Sequence, residues 1–293
     1  MRMSSEVALT RTERLALALG RFSNELDVIK LLQIRYLRSG PQAVIRFSAG
    51  KRTFVDGIDY LREQPDRGLM LAANHRTFFD QYLAMLCFYD GGVDWPKRIL
   101  FPVRSNFFYE KPIGIALNFL IGGGTMYPPI FRDSNKAALN KDALKRAARF
   151  LSQPGTLVGV HPEGTRGKHP DPYELLPAQF GIGQMILHAK PVVVPLFING
   201  MTNDFVSEVR NMRGYEARRT RPVVCVFGKP VDYSEFTKKK PRMALYKRTS
   251  QCVMRHIADL RDREKELRAQ ILSGEIGDDH PNWVSNLRKV YNP

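Results

Sequence analysis

The sequence is poor in cysteine and in long hydrophobic runs, and each shortage excludes a class of protein. Its 293 residues include 3 cysteines, too few and too scattered for a disulfide framework or a cysteine-based zinc site. This usage indicates an intracellular, reducing compartment. The sequence also lacks an uninterrupted apolar run of about 18–20 residues, the length that crosses a bilayer. The closest candidate, residues 112–130, is broken by glycines and prolines.

Acidic residues are scarce relative to basic ones. Lysine and arginine total 45 against 29 aspartates and glutamates, which gives a formal net charge of +16. Such a chain attracts an anionic partner: nucleic acid, a membrane surface or a phosphorylated substrate. The basic stretch 208–248 is densest at Arg218, Arg219 and Arg221 and at the lysines 238–240. No nucleic-acid-binding signature accompanies this charge, which argues against nucleic acid. A solvated face without a partner is the other interpretation.

The first 40 residues mix arginines with apolar side chains at helical spacing. Apolar residues at positions 15, 19, 22, 26 and 29 fall on one face of a helix. The pattern predicts one or two amphipathic helices that end at Gly40-Pro41. These helices form either a wall of the globular core or a face that lies on a membrane surface, and the pattern leaves both open.

From residue 66 onward, short apolar runs alternate with helical stretches. This alternation predicts an α/β fold with a mostly parallel sheet flanked by helices. The chain then divides into an N-terminal amphipathic helical segment (1–65), an α/β core (66–232) and a C-terminal helical extension (233–293). The apolar runs that predict strands cover residues 69–73, 99–103, 125–130, 157–160, 192–198 and 223–227, and the clearest helices cover 135–151 and 241–272.

A polar motif, Asn-His-Arg-Thr-Phe-Phe-Asp at residues 74–80, follows the first of these strands. If His75 lies in the turn and a helix begins at Thr77, Asp80 can reach back and hydrogen-bond one ring nitrogen of His75. That contact fixes the tautomer and leaves the other nitrogen free to accept a proton. It is the base-and-orienting-acid part of a catalytic triad, without a nucleophile. The spacing of Thr77 and Asp80 also fits a capping box, in which Asp80 only satisfies a backbone N–H.

A second polar motif, His-Pro-Glu-Gly-Thr-Arg at residues 161–166, directly follows another predicted strand. Ligands of such sheets bind outside the carboxyl ends of the strands, where both motifs fall. The guanidinium of Arg166 suits a phosphate because its planar fork pairs with two oxygens. Gly164 permits a close approach of the backbone to a ligand. An ordinary polar loop with an internal Glu163–Arg166 pair is the alternative.

Together these residues resemble the glycerolipid acyltransferase family, which includes glycerol-3-phosphate and 1-acylglycerol-3-phosphate acyltransferases. The family pattern has four blocks, and this chain carries them in the family order: Asn74-His75 with Asp80, Gly123-Gly124 leading to Phe131-Arg132, residues 162–166, and residues 192–195. The blocks span about residues 68–200. The chain departs from the pattern at Arg76-Thr77, where Gln-Ser is frequent. It departs again at residues 179–181, where a basic residue is common, and these departures leave the acceptor open.

The resemblance implies transfer of a fatty acyl group from an acyl thioester to a glycerol hydroxyl in phospholipid synthesis. The donor would be acyl-CoA or acyl carrier protein, and 1-acylglycerol-3-phosphate is the favoured acceptor. His75 would be the general base and Asp80 its orienting acid. The expected substrate-binding set is Arg132, Glu163, Gly164, Thr165 and Arg166. Glu163 would position an arginine or contact the glycerol. The reaction needs no serine or cysteine nucleophile, since the thioester is already activated. No His-Glu-x-x-His or clustered Cys/His pattern indicates a metal, and no cofactor is expected.

A lyso-phospholipid acceptor and a long acyl product favour an enzyme at a membrane. Combined with the amphipathic start and the basic surface, this predicts a peripheral or monotopic protein on the anionic cytoplasmic side of the membrane. Three alternatives stay open. They are an acyltransferase for glycerol 3-phosphate or another lyso-lipid, a hydrolase that uses the His–Asp pair to activate water, and a non-catalytic lipid- or nucleic-acid-binding protein.

Overall fold

The computed structural model describes residues 9–210 and 216–292. The strands are β1 (Thr53–Asp56), β2 (Leu69–Ala73), β3 (Arg98–Leu100), β4 (Val103–Arg104), β5 (Pro129–Ile130), β6 (Thr156–Val160), β7 (Val192–Asn199) and β8 (Val223–Phe227). The helices are α1 (Arg11–Glu25), α2 (Asp27–Ser39), α3 (Pro41–Ala49), α4 (Asp80–Asp90), α5 (Ser105–Phe108), α6 (Pro112–Leu120), α7 (Ala137–Leu151), α8 (Phe180–Ala189), α9 (Phe205–Arg210), α10 (Glu216–Thr220), α11 (Ser234–Thr237), α12 (Met243–Ser273) and α13 (Val284–Tyr291). Short 3-10 turns cover Ile58–Leu61 and Ser134–Lys136.

Six strands form the main sheet in the order β1-β8-β7-β2-β6-β3. Every neighbouring pair is parallel except β7 and β8, which are antiparallel. The predicted α/β fold with a mostly parallel sheet is therefore confirmed. All residues of β2 and β6 are buried, which explains why these strands are continuous apolar runs in the sequence.

Side chains of β2 point alternately to the two faces of the sheet. Leu69 and Leu71 pack in the same core as residues of α4 and α13. Met70 and Ala72 belong to the opposite core, which α7, α8 and α12 cover. The sheet is thus the middle of three layers. Its carboxyl edge, where β2 and β6 end, carries both polar motifs.

The sheet begins earlier in the chain than the sequence predicts. β1 lies inside the segment 1–65 that was expected to be helical, and it pairs with β8 at the edge of the main sheet. Phe54 and Val55 are both buried, so this short strand shows no alternating pattern. A boundary at residue 66 separates β1 from the sheet to which it belongs.

The glycine-rich block is a turn rather than the start of a strand. Gly123 and Gly124 have φ angles of +55° and +74°, which favour glycine. A Cβ atom on Gly124 would lie 2.6 Å from the side-chain nitrogen of Gln33 on α2. The predicted strand 125–130 is therefore shortened to β5. The apolar run 99–103 is also divided, because β3 joins the main sheet whereas β4 pairs with β5.

Residues 11–39 form two helices, α1 and α2, as predicted, and a third helix follows them. Gly40 ends α2 as expected, but α3 begins at once with Pro41 in its first turn. Proline is tolerated at that position because its missing N–H has no partner inside a helix.

Helices α1 and α2 turn their apolar side chains outward. The buried residues of α1 are Glu13, Ala16, Gly20, Ser23 and Asn24. The exposed apolar residues on and between the two helices are Leu15, Phe22, Leu26, Val28, Leu31, Leu32 and Tyr36. Helices that only form a wall of a globular core show the opposite arrangement.

Polar contacts attach these helices to the rest of the domain. The buried Lys30 donates to the carbonyl oxygen of Ile99 over 2.6 Å. Asn24 donates to the carbonyl oxygen of Gly124 over 2.8 Å. Burial, together with the charge of Arg98, holds the pKa of Lys30 well below its usual range. The apolar faces are thus fixed outward by buried polar anchors.

One of the predicted surface arginines is part of the interior. Arg218 is fully buried, donates to the carbonyl oxygen of Asp278 over 2.7 Å, and lies 4.6 Å from the ring centre of Trp283. It therefore connects α10 to the C-terminal segment rather than forming an anion-binding surface. Residues 211–215, which the predicted basic stretch includes, lie outside the described residues.

Candidate active site

His75 and Asp80 meet in the turn between β2 and α4. The Nδ1 atom of His75 lies 2.9 Å from Oδ2 of Asp80, so the expected hydrogen bond is present. The Asp80 side chain is 3% exposed, whereas that of His75 is 21% exposed. Helix α4 begins at Asp80, three residues after the predicted start at Thr77. The carboxylate therefore stands at the very start of the helix, directly beside the turn that holds the histidine.

The Asp80 carboxylate also holds the turn itself. Its Oδ2 accepts backbone N–H groups of Arg76 at 2.7 Å and Thr77 at 2.9 Å, and its Oδ1 accepts the Thr77 hydroxyl at 2.7 Å. The helix-start contact and the contact with His75 thus occur together. Burial raises the pKa of Asp80, but the hydrogen bonds from His75 and Thr77 and the nearby imidazole charge outweigh it, and the pKa is lowered. An ionised Asp80 holds the proton on Nδ1 of His75 and leaves Nε2 as an acceptor.

Asn74 fixes the strand end that carries His75. Its side-chain amide donates to the carbonyl oxygen of Ile198 at 2.9 Å and accepts the N–H of the same residue at 2.8 Å. Asn74 is fully buried, and these two hydrogen bonds continue the pairing of β2 with β7 through its side chain. The sequence motif contains this residue but does not reveal its partner on a strand more than a hundred positions away.

Glu163 joins the two polar motifs through backbone groups. Its carboxylate accepts the N–H of His75 at 2.8 Å and the N–H of Leu176 at 2.9 Å. It is 2% exposed, and burial raises its pKa. Over residues 9–210 and 216–292, Glu163 forms no ion pair with an arginine, so the Glu163–Arg166 pair of the ordinary-loop alternative is not observed. Gly164 beside it has a φ of +64°, which favours glycine.

Three arginines lie near this corner, close enough for their charges to interact. The Arg166 guanidinium lies 3.6 Å from the ring centre of Phe78 and donates to Oδ1 of Asn203 at 3.0 Å. Arg104 donates to the carbonyl oxygen of Gly164 at 2.5 Å. Burial and the positive charges of Arg132 and Arg166 lower the pKa of Arg104. This mutual repulsion favours the binding of an anion among the three arginines.

Arg104 extends the predicted substrate-binding set. Like the two motifs, it directly follows a predicted apolar strand, which is the signal that identifies it. Arg132 is exposed just after β5, and Thr165 is half-buried between Gly164 and Arg166. The arginine rim, as we call Arg104, Arg132 and Arg166, thus combines residues from three separate parts of the chain.

His75, Asp80 and His161 are the described residues with atoms close enough to share a metal ion, all within 4.8 Å of one another. Their orientation does not suit one. The two imidazole rings are stacked, with centres 3.9 Å apart and planes 9° apart. Their in-plane lone pairs therefore run side by side, whereas a zinc ion needs nitrogens that converge on it at about 2.0–2.1 Å. Asp80 is also occupied by its hydrogen-bond donors. The arrangement is better suited to proton transfer.

The fold and this site define an α/β protein that places an acid-oriented histidine beside a cluster of arginines. The acyltransferase family model matches residues 52–199, half of the chain. The chain therefore belongs to the acyltransferase family. All four predicted blocks lie within or at the ends of that match.

Comparison with solved structures finds similarity to the 1-acyl-sn-glycerophosphate (LPA) acyltransferase PlsC from Thermotoga maritima. The two chains share 17% identity and superpose with a TM-score of 0.47, over 85% of this chain and 96% of that one. Comparison with curated protein sequences gives no match.

Proposed function

We propose that the protein transfers a fatty acyl group from an acyl thioester to a hydroxyl of a phosphorylated glycerol, with 1-acylglycerol-3-phosphate as the favoured acceptor. One observation carries the proposal: an imidazole oriented by a buried carboxylate lies near a cluster of three arginines, two of which contact Gly164 and Phe78 of the same corner. A base next to a phosphate site is what this reaction needs, because the acceptor must be both bound and deprotonated.

In the proposed mechanism His75 takes the proton of the acceptor hydroxyl at Nε2 as the oxygen attacks the thioester carbonyl. The new carbon–oxygen bond gives a tetrahedral intermediate, and Asp80 stabilises the imidazolium. The carbon–sulfur bond then breaks, and the imidazolium returns its proton to the leaving sulfur. The products are an acylated acceptor and a free thiol. General-base assistance of this kind contributes about 10²–10⁴-fold to the rate.

The arginine rim is proposed to hold the acceptor phosphate. Arg166 is kept in place by Phe78 and Asn203, and Arg104 by the carbonyl oxygen of Gly164. Their guanidinium groups supply charge-assisted donors at the side of the site next to His75. We propose that Arg132 and Thr165 complete this set.

We also propose that the enzyme binds an anionic membrane surface from its cytoplasmic side. None of the helices within residues 9–210 and 216–292 is long and apolar enough to cross a bilayer. The outward apolar faces of α1 and α2 support binding at the interface instead. Exposed Ile113 and Leu120 add an apolar face on α6. Phe107 is also exposed, and its ring centre lies 5.9 Å from that of Phe78. It therefore connects the apolar face of α6 with the site.

Vesicle co-sedimentation tests the membrane proposal. Phe22→Glu with Leu32→Glu places two charges on the outward face, and because both side chains are exposed we expect the variant to fold. Binding to anionic vesicles that persists at high salt comes from apolar side chains buried in the membrane surface. We expect the double variant to lose most of this salt-resistant binding. Wild-type binding should weaken at high salt, since each lysine or arginine near the surface contributes about 1 kcal/mol.

The matched control is Val290→Glu, at an exposed apolar site on α13 far along the chain. It should sediment like the wild type. Wild-type protein that stays in the supernatant with anionic vesicles at low salt would refute the membrane proposal.

Thiol release tests the reaction itself. The wild-type chain is mixed with a long-chain acyl-CoA and with lysophosphatidate, glycerol 3-phosphate, an uncharged monoacylglycerol or no acceptor. We expect rapid thiol release only with a phosphorylated acceptor, and mass spectrometry should find the acylated product. Equal release without an acceptor would instead identify a hydrolase, and no release with any donor would favour a binding protein.

A further inference from the structure

Two histidines from distant parts of the chain lie face to face at the site. The rings of His75 and His161 are stacked with centres 3.9 Å apart and planes 9° apart. The register of the sheet causes this meeting: Ala72 on β2 is opposite Val160 on β6, so the residues that follow both strands emerge side by side. The proposed mechanism uses His75 and leaves His161 without a task.

His161 is held in a fixed orientation by the turn beneath His75. Its Nδ1 atom lies 3.1 Å from the carbonyl oxygen of Ala73 and 3.0 Å from that of Asn74. Carbonyl oxygens only accept hydrogen bonds, so Nδ1 carries the proton and donates it to this pair. Burial and the charge of His75 lower the pKa of His161. The ring is therefore uncharged, and its plane is set by the backbone.

His75, in contrast, has less support. Its side chain is 21% exposed, and Asp80 contacts only one ring nitrogen. A single hydrogen bond at Nδ1 leaves the ring free to tilt about that contact, which would carry Nε2 away from the acceptor hydroxyl. The flat face of His161 removes this freedom on one side. Because that face is uncharged, it does not repel the imidazolium that forms on His75.

We infer that His161 is a positioning residue, which holds the His75 ring flat through ring stacking so that Nε2 faces the acceptor hydroxyl. The inference rests on the proposed function, since it assigns His161 a role in the same reaction. His161 itself exchanges no proton with the substrate. The flat ring carries this role, and the Nδ1–H group serves to anchor the ring.

A pair of substitutions separates the ring from the N–H group. His161→Phe keeps a flat ring but loses the Nδ1–H donor. His161→Leu loses both the ring and the donor and introduces an apolar side chain of similar volume. We expect the leucine variant to lose about 10²-fold in kcat, the cost of a misplaced reacting group. Both substrate KM values should stay within about twofold, because a residue that only positions the base leaves the binding of both substrates unchanged. The phenylalanine variant should keep kcat within about threefold of the wild type.

His188→Leu is the matched control. Its Nδ1 also lies beside a backbone carbonyl, that of Gln184 at 2.7 Å, but the residue is exposed on α8 away from the site. This variant should keep wild-type kcat and KM. Equal loss of kcat in the phenylalanine and leucine variants, or wild-type kcat in the leucine variant, would overturn the assignment.

A second measurement does not depend on turnover. Ring stacking shifts the NMR resonance of the Cε1 proton of His75. That resonance can be assigned by replacing each of the six histidines in turn. The shift should persist in His161→Phe and collapse toward the exposed value in His161→Leu. Its absence from the wild type would overturn the inference even if the leucine variant does not fold. A stacked wild type that transfers no acyl group would instead contradict the proposed function.

Discussion

The corner that holds His75 and the arginine rim beside it are built in opposite ways. In the corner, Asp80 is 3% exposed and accepts four hydrogen bonds, and Asn74 is pinned to β7. In the rim, Arg104 lies in β4 and Arg132 and Arg166 lie in loops, and burial together with the charges of those two arginines lowers the pKa of Arg104. The carboxylate and the amide of the corner find their hydrogen-bond partners within the protein, whereas the like charges of the rim favour the binding of an anion.

This difference separates two tasks. A preorganised corner suits the chemical step, because the base must already be aligned when the hydroxyl arrives. A rim of repelling charges suits substrate capture, because its interaction energy appears only when a phosphate is present. Damage to the corner should therefore lower kcat, and damage to the rim should raise the acceptor KM.

The largest expected effect comes from breaking the corner at Asp80. Asp80→Asn removes the negative charge that orients His75. It also replaces one of the two carboxylate oxygens that accept hydrogen bonds from the turn. We expect a loss of about 10²–10⁴-fold in kcat. The free energy of unfolding should also fall by about 1–3 kcal/mol, since buried N–H groups lose their acceptor. Steady-state kinetics and urea unfolding measure the two effects.

Thr77→Val is the control for this prediction. It removes only the hydroxyl that donates to Asp80 at 2.7 Å and leaves the carboxylate beside His75. We expect a stability loss of about 1 kcal/mol with a much smaller loss of kcat than in Asp80→Asn. If Asp80→Asn lowers stability but leaves turnover intact, the carboxylate only caps the helix.

The next largest effect should come from the rim. Arg166→Ala or Arg104→Ala removes a charge-assisted contact worth about 1.5–3 kcal/mol, which corresponds to an acceptor KM raised about 10–150-fold. The KM for the acyl donor and the kcat should change far less. Arg255→Ala, at an exposed site on α12, should leave all three constants unchanged. A normal acceptor KM in both rim variants would place the phosphate site elsewhere.

A smaller effect sharpens the description of the corner. Burial and the charge of His75 lower the pKa of His161 to about 3, against an ordinary value near 6.5. Between these values the unfolded chain binds a proton that the folded chain does not. The free energy of unfolding therefore decreases as the pH falls below about 6.5, by at most about 1.4 kcal/mol per pH unit.

His161→Phe removes this contribution, so its stability should decrease less than that of the wild type between pH 7 and pH 5. Urea unfolding at the two pH values measures the difference. The lowered pKa of Asp80, which faces His161 together with His75, acts on stability only below about pH 4, outside this window. If the free energy of unfolding depends on pH in the same way in both proteins, His161 is not held uncharged in the folded state.

Sequence reasoning was sufficient where the signal is local. The apolar runs 69–73 and 223–227 match β2 and β8, and the periodic tail 241–272 differs from α12 by one or two residues. The contact between His75 and Asp80 was predicted because both lie in one turn. The four motif blocks gave the family through their order along the chain.

The rest depended on contacts between distant residues. The outward face of α1 has the same helical periodicity as an inward one, so the sequence alone does not determine which way this face points. Arg218 belongs to the basic stretch of the sequence, but it is buried against Trp283. The stacking of His161 on His75 requires the register of β2 with β6, which periodicity does not supply. Asn74 likewise finds its partner on β7.

Replacement of His75 tests the central claim most directly. His75→Ala removes the proton acceptor and leaves Asp80, the turn donors and the arginine rim in place. We predict that acceptor-dependent thiol release from acyl-CoA falls by about 10²–10⁴-fold, while lysophosphatidate binding and the unfolding curve stay close to those of the wild type. Wild-type turnover in this variant would contradict the account, because the reaction would then proceed without the base on which it depends.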